Sequence, residues 1–266
     1  MNKEHCRLIE LVAQWEGRVN ATTLQKHFGI SRATATKSLQ SYCKEHPQNL
    51  QYDSTQKGYL PTADFSPYHC QGHIAEYSQL YQQRDFPNPF HFIEPPLRNI
   101  DPALTRPLFH AIRNRRRLDI GYASVSNPEY EERIISPHSV VFSDLRWHVR
   151  AYCEKNQAFR DFVLSRFNGV FNDEGEAIQL EEHDNNWNTW LDVVIEPDSR
   201  LSPAQKRIIE MDYQMENGQK TLRTRAALLM YLLQKLRVEQ YKPTAEAQQI
   251  IVNSECWKRI EQYLPK

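Results

Sequence analysis

Residues 17–44 contain no acidic side chain, and the same stretch carries two helix caps on either side of a glycine. Asn20 precedes Ala21–Phe28, Gly29 follows it, and Ser31 precedes Arg32–Glu45. Asn and Ser side chains accept the unpaired amide hydrogens of a first helical turn, and Gly reaches the left-handed backbone that closes a helix. The spacing predicts a short helix, a tight turn and a longer helix. Leu24 and Phe28 face inward on the first, and Ala35, Leu39 and Tyr42 on the second. An earlier helix, with Leu8, Leu11, Val12 and Trp15 on one face, ends at Gly17. Helix, glycine turn, helix is the spacing of the helix-turn-helix.

The outer face of the longer helix carries Ser31, Arg32, Ala33, Thr36, Lys37 and Gln40, and Lys26 lies on the shorter one. Small and polar side chains near a helix start allow close approach to a major groove, and Lys and Arg neutralise phosphates. Leu50–Asp53 and residues 58–62 read as two short strands around 54–57, a wing with Lys57 near its tip. The chain has 33 basic and 33 acidic residues, so the expected DNA-binding face rests on this local imbalance rather than on net charge. A helix-turn-helix that only docks on protein is the other reading, but it has no need to exclude acids.

At 266 residues the chain is long enough for two or three domains. Its five cysteines are scattered, odd in number and without CxxC pairing, which implies a reducing, cytoplasmic setting. The first ten residues are polar and charged, not a signal peptide. No apolar run approaches the ~20 residues of a membrane span. None of the eight glycines forms a dinucleotide-binding, P-loop or nucleophile-elbow motif, so no enzyme, cofactor or metal is expected. His69-Cys70-x-x-His73 lacks a second ligand pair and reads as a helix face. That helix is expected over 68–84. Prolines at 87, 89, 95 and 96 then break regular structure and mark a linker. Asp101 and Pro102 open a further helix to about 116, whose basic end at 113–117 suits either the helix dipole or a nucleic-acid patch.

Downstream the period changes. Leu118, Ile120 and Tyr122 alternate with smaller or polar residues, 131–135 forms a second strand, and Trp147, Val149, Ala151 and Cys153 alternate with His148, Arg150 and Tyr152. A run at 162–167 carries Arg166, and 173–184 reads as an acidic surface loop. A helix followed by a bent antiparallel sheet predicts a small Sm- or SH3-like β-barrel. Arg150 and Arg166, with Ser136 and His138 upstream, imply an anion pocket; the competing reading pairs the arginines with Asp144, Glu154 or Asp161.

Tyr122, Ser136-Pro137-His138, the run from Leu145 to Cys153 and the run from Phe159 to Arg166 resemble the WYL-domain transcriptional regulators. The resemblance spans nearly the whole chain and is nearest to the repressors of phage-defence operons. The signature itself reads Trp147-His148-Val149, with histidine in place of tyrosine. It implies a ligand pocket of Tyr122, Ser136, His138, Arg150 and Arg166. Two guanidiniums, hydroxyl donors and a stacking ring suit a nucleotide or nucleic-acid effector.

The C-terminal part offers a strand ending at Pro197, a Ser202-Pro-Ala-Gln205 capping box opening a helix, and a helix over 225–236 with Leu228, Leu229, Leu232, Leu233 and Leu236. Asp212 to Leu236 resembles the extension that helps these regulators dimerise; the leucines suit either a dimer contact or a buried helix. The expectation is an α+β multidomain chain: a winged helix-turn-helix over 1–62, a helical connector over 63–100, a WYL sensor over 101–180, and an α/β dimerisation domain over 181–266. As a homodimer it would repress from a palindromic double-stranded DNA operator. The alternatives are an activator or an adaptor acting through a protein partner, and, less well supported, a nucleotide-processing enzyme.

Overall fold

A computed structural model describes residues 2–82, 89–93, 100–143 and 146–264. The expected linker prolines at 87, 95 and 96, the end of the 68–84 helix, and Asp144 and Leu145 lie outside the described residues. Contacts divide the chain into two units, Met1–Ile93 and Glu94–Lys266.

The first unit begins with α1 (Lys3–Glu16), closed by Gly17 in the left-handed conformation at φ 70°. Asn20 caps α2 (Ala21–Phe28), Gly29 closes it at φ 64°, and Ser31 caps α3 (Arg32–Glu45) through the Thr34 amide. Each such cap contributes about 1 kcal/mol, so three consecutive boundaries are set locally. Leu8, Leu11, Val12, Leu24, Ala35, Leu39 and Tyr42 are buried together. Trp15, expected inward, is 40 % exposed and stacks on Tyr77. Strands β1 (Leu50–Asp53) and β2 (Gly58–Pro61) pair antiparallel, and Val19 exchanges two backbone hydrogen bonds with Tyr59 to tie the wing to the start of α2. Lys57 takes a left-handed turn at the wing tip. Helix α4 (Ile74–Gln82) starts later than expected, and its Tyr77 and Leu80 join the same core.

In the second unit, α5 (Pro102–Asn114) packs on five antiparallel strands, β3 (Arg116–Tyr122), β4 (Glu131–Phe142), β5 (Trp147–Cys153), β6 (Ala158–Val163) and β7 (Phe167–Glu176). Their order is β6-β5-β4-β3-β7. Leu118, Ile120, Tyr122, Ile135, Val149, Ala151, Cys153, Phe162 and Phe167 cover the face beneath Leu108 and Ala111 of α5. The sheet of the expected Sm- or SH3-like barrel is not closed. Among the described residues β6 and β7 are open edges, with no pairing that joins them. The 162–167 run is divided by a single 3-10 turn, Leu164–Arg166, and the expected acidic loop begins as strand β7.

Pro137 sits inside β4, where a missing N–H would ordinarily break a ladder. The strand tolerates it because its pairing with β3 stops at Ile135 and the register with β5 shifts between Pro137 and Ser139. The extra residue at such a bulge re-aims its side chain; here that residue is His138.

After a short helix α6 (Asn185–Asn188), β8 (Trp190–Pro197) lies between β9 (Lys220–Arg225) and β10 (Ile250–Val252) in a second antiparallel sheet. Helices α7 (Pro203–Asp212), α8 (Leu229–Leu236), α9 (Ala245–Gln248) and α10 (Ser254–Ile260) pack around it. The capping box at Ser202 and Gln205 forms as its residues dictate. Leu229 and Leu233 are buried, and Leu232 and Leu236 are half-buried against the same cores. No helix among the described residues is long and apolar enough to cross a membrane.

Candidate functional site

Two surfaces gather the chemistry. The first is the outer face of α3. Ser31, Arg32, Ala33, Lys37 and Gln40 are exposed and Thr36 is half-exposed; Lys26 on α2 and Lys57 on the wing are exposed as well. Between α3, the start of α2 and the wing lies a concavity of about 480 Å³, lined by Arg18, Arg32, Thr36, Tyr52 and Lys57 among others. Arg18 donates to the Gln56 carbonyl at 2.7 Å, which fixes it against the wing. Tyr52, 61 % exposed on β1, was not singled out from the sequence; an aromatic at an outward position of a short wing strand was the signal available.

The second surface is the sheet face opposite α5. Arg150 is 7 % exposed and central to it. Its Nε and Nη2 donate to the two carboxylate oxygens of Asp184 at 2.7 and 3.1 Å, and its Nη1 donates to Asp161 at 3.2 Å. The Tyr231 hydroxyl of α8 donates to the other Asp161 oxygen at 2.9 Å. His138, turned onto this face by the bulge, has Nε2 3.3 Å from Asp184 and packs edge-on against Trp187. Asp184 also accepts the Trp187 amide and so caps α6. Ser136, opposite Tyr152 on the same face, is 1 % exposed, and its hydroxyl has no hydrogen-bond partner among the described residues. Arg150, Asp161 and Tyr231 border a cavity of about 350 Å³, while His138 and the 177–182 segment border another of about 240 Å³.

Burial alone would raise the Asp184 carboxyl, but hydrogen bonds from His138 and Arg150 and the guanidinium charge outweigh it and hold the group at about 2. Burial likewise opposes the charge on Arg150, and its hydrogen bond to Asp184 and the nearby Asp161 charge hold it above its usual value. The Asp184 contribution to stability is therefore complete above its ordinary value of 3.8 and is lost as pH falls towards 2. The stability gap between wild type and Asp184→Asn should be constant from pH 7 to about 5 and close between pH 4 and 2, read from urea unfolding. A gap independent of pH would show that the carboxylate charge is not what the pair supplies.

The description "BrxR transcriptional regulator winged helix-turn-helix domain" matches residues 2–83, "WYL domain" matches 103–171, and "BrxR transcriptional regulator, C-terminal dimerization domain" matches 190–260. The chain is 32 % identical over 244 residues to a DNA-binding transcriptional repressor CapW of Pseudomonas aeruginosa, covering 87 % of this chain and 81 % of that protein. A CapW repressor of Stenotrophomonas maltophilia is 34 % identical over 246 residues, with the same coverage. The chain belongs to the BrxR-type WYL-domain transcriptional regulators. The matched families are regulator domains, not an enzyme's. Among solved structures, proteasome accessory factor B/C of Arthrobacter aurescens aligns over 99 % of this chain and 48 % of its own, at 14 % identity and a TM-score of 0.28. The chain thus spans about half the length of that protein.

Within the WYL domain the five expected pocket residues separate. Ser136, His138 and Arg150 share one sheet face. Tyr122 lies on the other, packed against Phe162 and Phe167, its hydroxyl accepting the Val163 amide at 3.1 Å. Arg166 sits on the turn between β6 and β7; its guanidinium makes no hydrogen bond or ion pair with a described residue and lines neither cavity. Glu154, one candidate partner for the arginines, pairs with Arg117 instead. His148, in the signature-tyrosine position, is buried, with Nε2 2.8 Å from the Ser143 hydroxyl and its ring against Tyr231. Asp184 has no signature of its own in the sequence, since its partner Arg150 is 34 residues away and its neighbours are acidic and solvent-facing.

Proposed function

We propose that the protein is a homodimeric DNA-binding repressor of a phage-defence operon. In this reading, α3 enters the major groove of each half of a palindromic operator, with Arg32, Ala33, Thr36 and Gln40 at the bases. Lys26, Ser31, Lys37 and Lys57 contact phosphate. The observation that carries it is the acid-free exposed face of α3, joined to the wing around a basic concavity. The naming of the CapW relatives as DNA-binding repressors supports it.

The reading assigns DNA recognition to 1–62, a connector to 63–100, effector sensing to 101–180 and dimer formation to 181–266. A nucleotide or nucleic-acid effector is held by Ser136, His138 and Arg150, and its binding releases the operator. Such release requires the effector to bind the off-operator geometry more tightly; equal affinity for both states would shift nothing.

The test is fluorescence anisotropy with a duplex carrying the inverted repeat upstream of the protein's own operon, against a scrambled duplex, at about 0.15 M salt. Specific binding should exceed non-specific by roughly 10³-fold or more, with affinity falling as salt rises. Equal affinity for the two duplexes rejects the reading.

A further inference from the structure

The proposed effector site has a property that a simple anion pocket lacks: its guanidinium is already occupied. Two edges of Arg150 are taken by Asp184 and the third by Asp161. One cation therefore faces two carboxylates, and a negative ligand approaching through the neighbouring cavity meets a centre with no positive charge to spare. Of the two carboxylates, Asp161 is fixed on β6 and held from α8 by Tyr231. Asp184 instead belongs to the link between β7 and β8, between a single 3-10 turn and α6.

We infer that Asp184 is a resident surrogate for the effector's phosphate, so that the site admits a ligand only by exchanging that carboxylate off Arg150. This rests on the effector reading given above and adds to it a rule of selection. A carboxylate ligand would replace like with like and still have to move the 177–188 link, so it gains nothing. A terminal phosphomonoester brings more charge and three acceptor oxygens to the same fork of donors. Beyond the guanidinium, it finds His138, which loses Asp184 in the exchange, and the buried Ser136 hydroxyl that lacks a partner among the described residues.

The exchange also has a mechanical consequence. Asp184 caps α6 through the Trp187 amide, and the Trp187 carbonyl accepts from Arg225 of β9 at 2.5 Å. The Arg225 guanidinium stacks 4.6 Å from the rings of both Trp187 and Trp190. Expelling Asp184 uncaps α6 at the point where the chain enters β8, the first strand of the region matched as the dimerization domain. Effector charge at Arg150 is thereby coupled to the strand pair β8–β9.

The experiment uses the full chain and three probes that share a terminal phosphate group: inorganic phosphate, adenosine monophosphate and a short 5′-phosphorylated single strand. Succinate is the carboxylate control. Asp184→Asn keeps the volume and the capping oxygen but removes the charge. By calorimetry it should bind at least one phosphate probe about ten-fold or more tighter than wild type, as expected where the resident group leaves about a tenth or less of the protein competent. Asp184→Asn combined with Arg150→Ala should lose that gain, and succinate should not bind wild type. In wild type, the bound probe should speed hydrogen exchange of the α6 amides, Trp187 above all; this arm stands even if the variants fold poorly. Tightest binding by the monophosphate or by the single strand distinguishes a free nucleotide from a nucleic-acid end. Equal affinity of wild type and Asp184→Asn, or probe binding with unchanged exchange at α6, overturns the surrogate role and leaves the effector site standing. No binding of any probe by either protein removes the effector reading, and this inference with it.

Discussion

Arg32→Ala should lower operator affinity by roughly 30-fold to 10,000-fold while the fold is unchanged. Arg32 is the first residue of α3, exposed, and lines the concavity between helix and wing. An arginine reaching a base edge is worth about 1–3 kcal/mol, and under the proposed reading of a dimer on two half-sites it would be lost twice, about 2–6 kcal/mol. Ala33→Glu is the sharper variant. Ala33 is exposed on the first turn, where an acid favours the helix dipole, so the isolated protein should be no less stable. The same carboxylate set against DNA phosphates is repulsive, and the expected loss is at least ~100-fold. Anisotropy with the operator duplex, paired with thermal melting of the free protein, separates the two effects. Full operator affinity in Ala33→Glu would mean that α3 is not the element that meets DNA.

What could be read from the sequence was what neighbouring residues decide. Asn20, Gly29, Ser31, Asp101 and Ser202 cap or close their helices within three or four residues of themselves, and each lies where its pattern places it. Alternation in β3 and β5 likewise separates core from outer face without help from elsewhere. The site is another matter. Which face a residue reaches depends on events such as the bulge at His138, which brings it to Asp184 beside Arg150 and has no local signature beyond Pro137. Tyr122 obeys the alternation of β3 and is for that reason in the core, away from the pocket its family resemblance implied. Barrel closure depended on strand ends meeting, which periodicity does not report. The acidic run that ends at Asp184 reads as solvated because charge is usually exposed; a buried carboxylate is recognisable only once its partners are known.

Glu10→Ala should remove about 3–5 kcal/mol of stability, a large part of the 5–15 kcal/mol typical of a folded domain. Glu10 lies on α1 between apolar neighbours and is fully buried. Its Oε1 accepts the Tyr42 hydroxyl and the Tyr68 amide, each at 3.0 Å, and its Oε2 accepts the His69 amide at 2.7 Å. Burial above all pushes the Tyr42 hydroxyl upward, so it remains a donor throughout the working pH range. Tyr42 also accepts from Asn49, which donates to the Ser66 carbonyl. One carboxylate thus joins α1, α3 and the segment that follows the wing. A single amphipathic face could not have shown this: Cys6, Glu10 and Ala13 form a second buried stripe because α1 is also covered by the 65–81 segment. Truncation leaves the buried Tyr42 hydroxyl and the part-buried Tyr68 and His69 amides without their acceptor, each costing about 1–3 kcal/mol where water cannot replace it. Glu10→Gln, which keeps one acceptor oxygen but turns an amide towards a donor, should fall between, at about 1–3 kcal/mol. Chemical denaturation followed by circular dichroism measures both. The Ala variant should also lose operator affinity, since α3 and the segment after the wing are no longer held to α1 by a shared group. A change of less than about 0.5 kcal/mol, the range of ordinary surface substitutions, would show that the carboxylate is solvated and that the three-way junction does not exist.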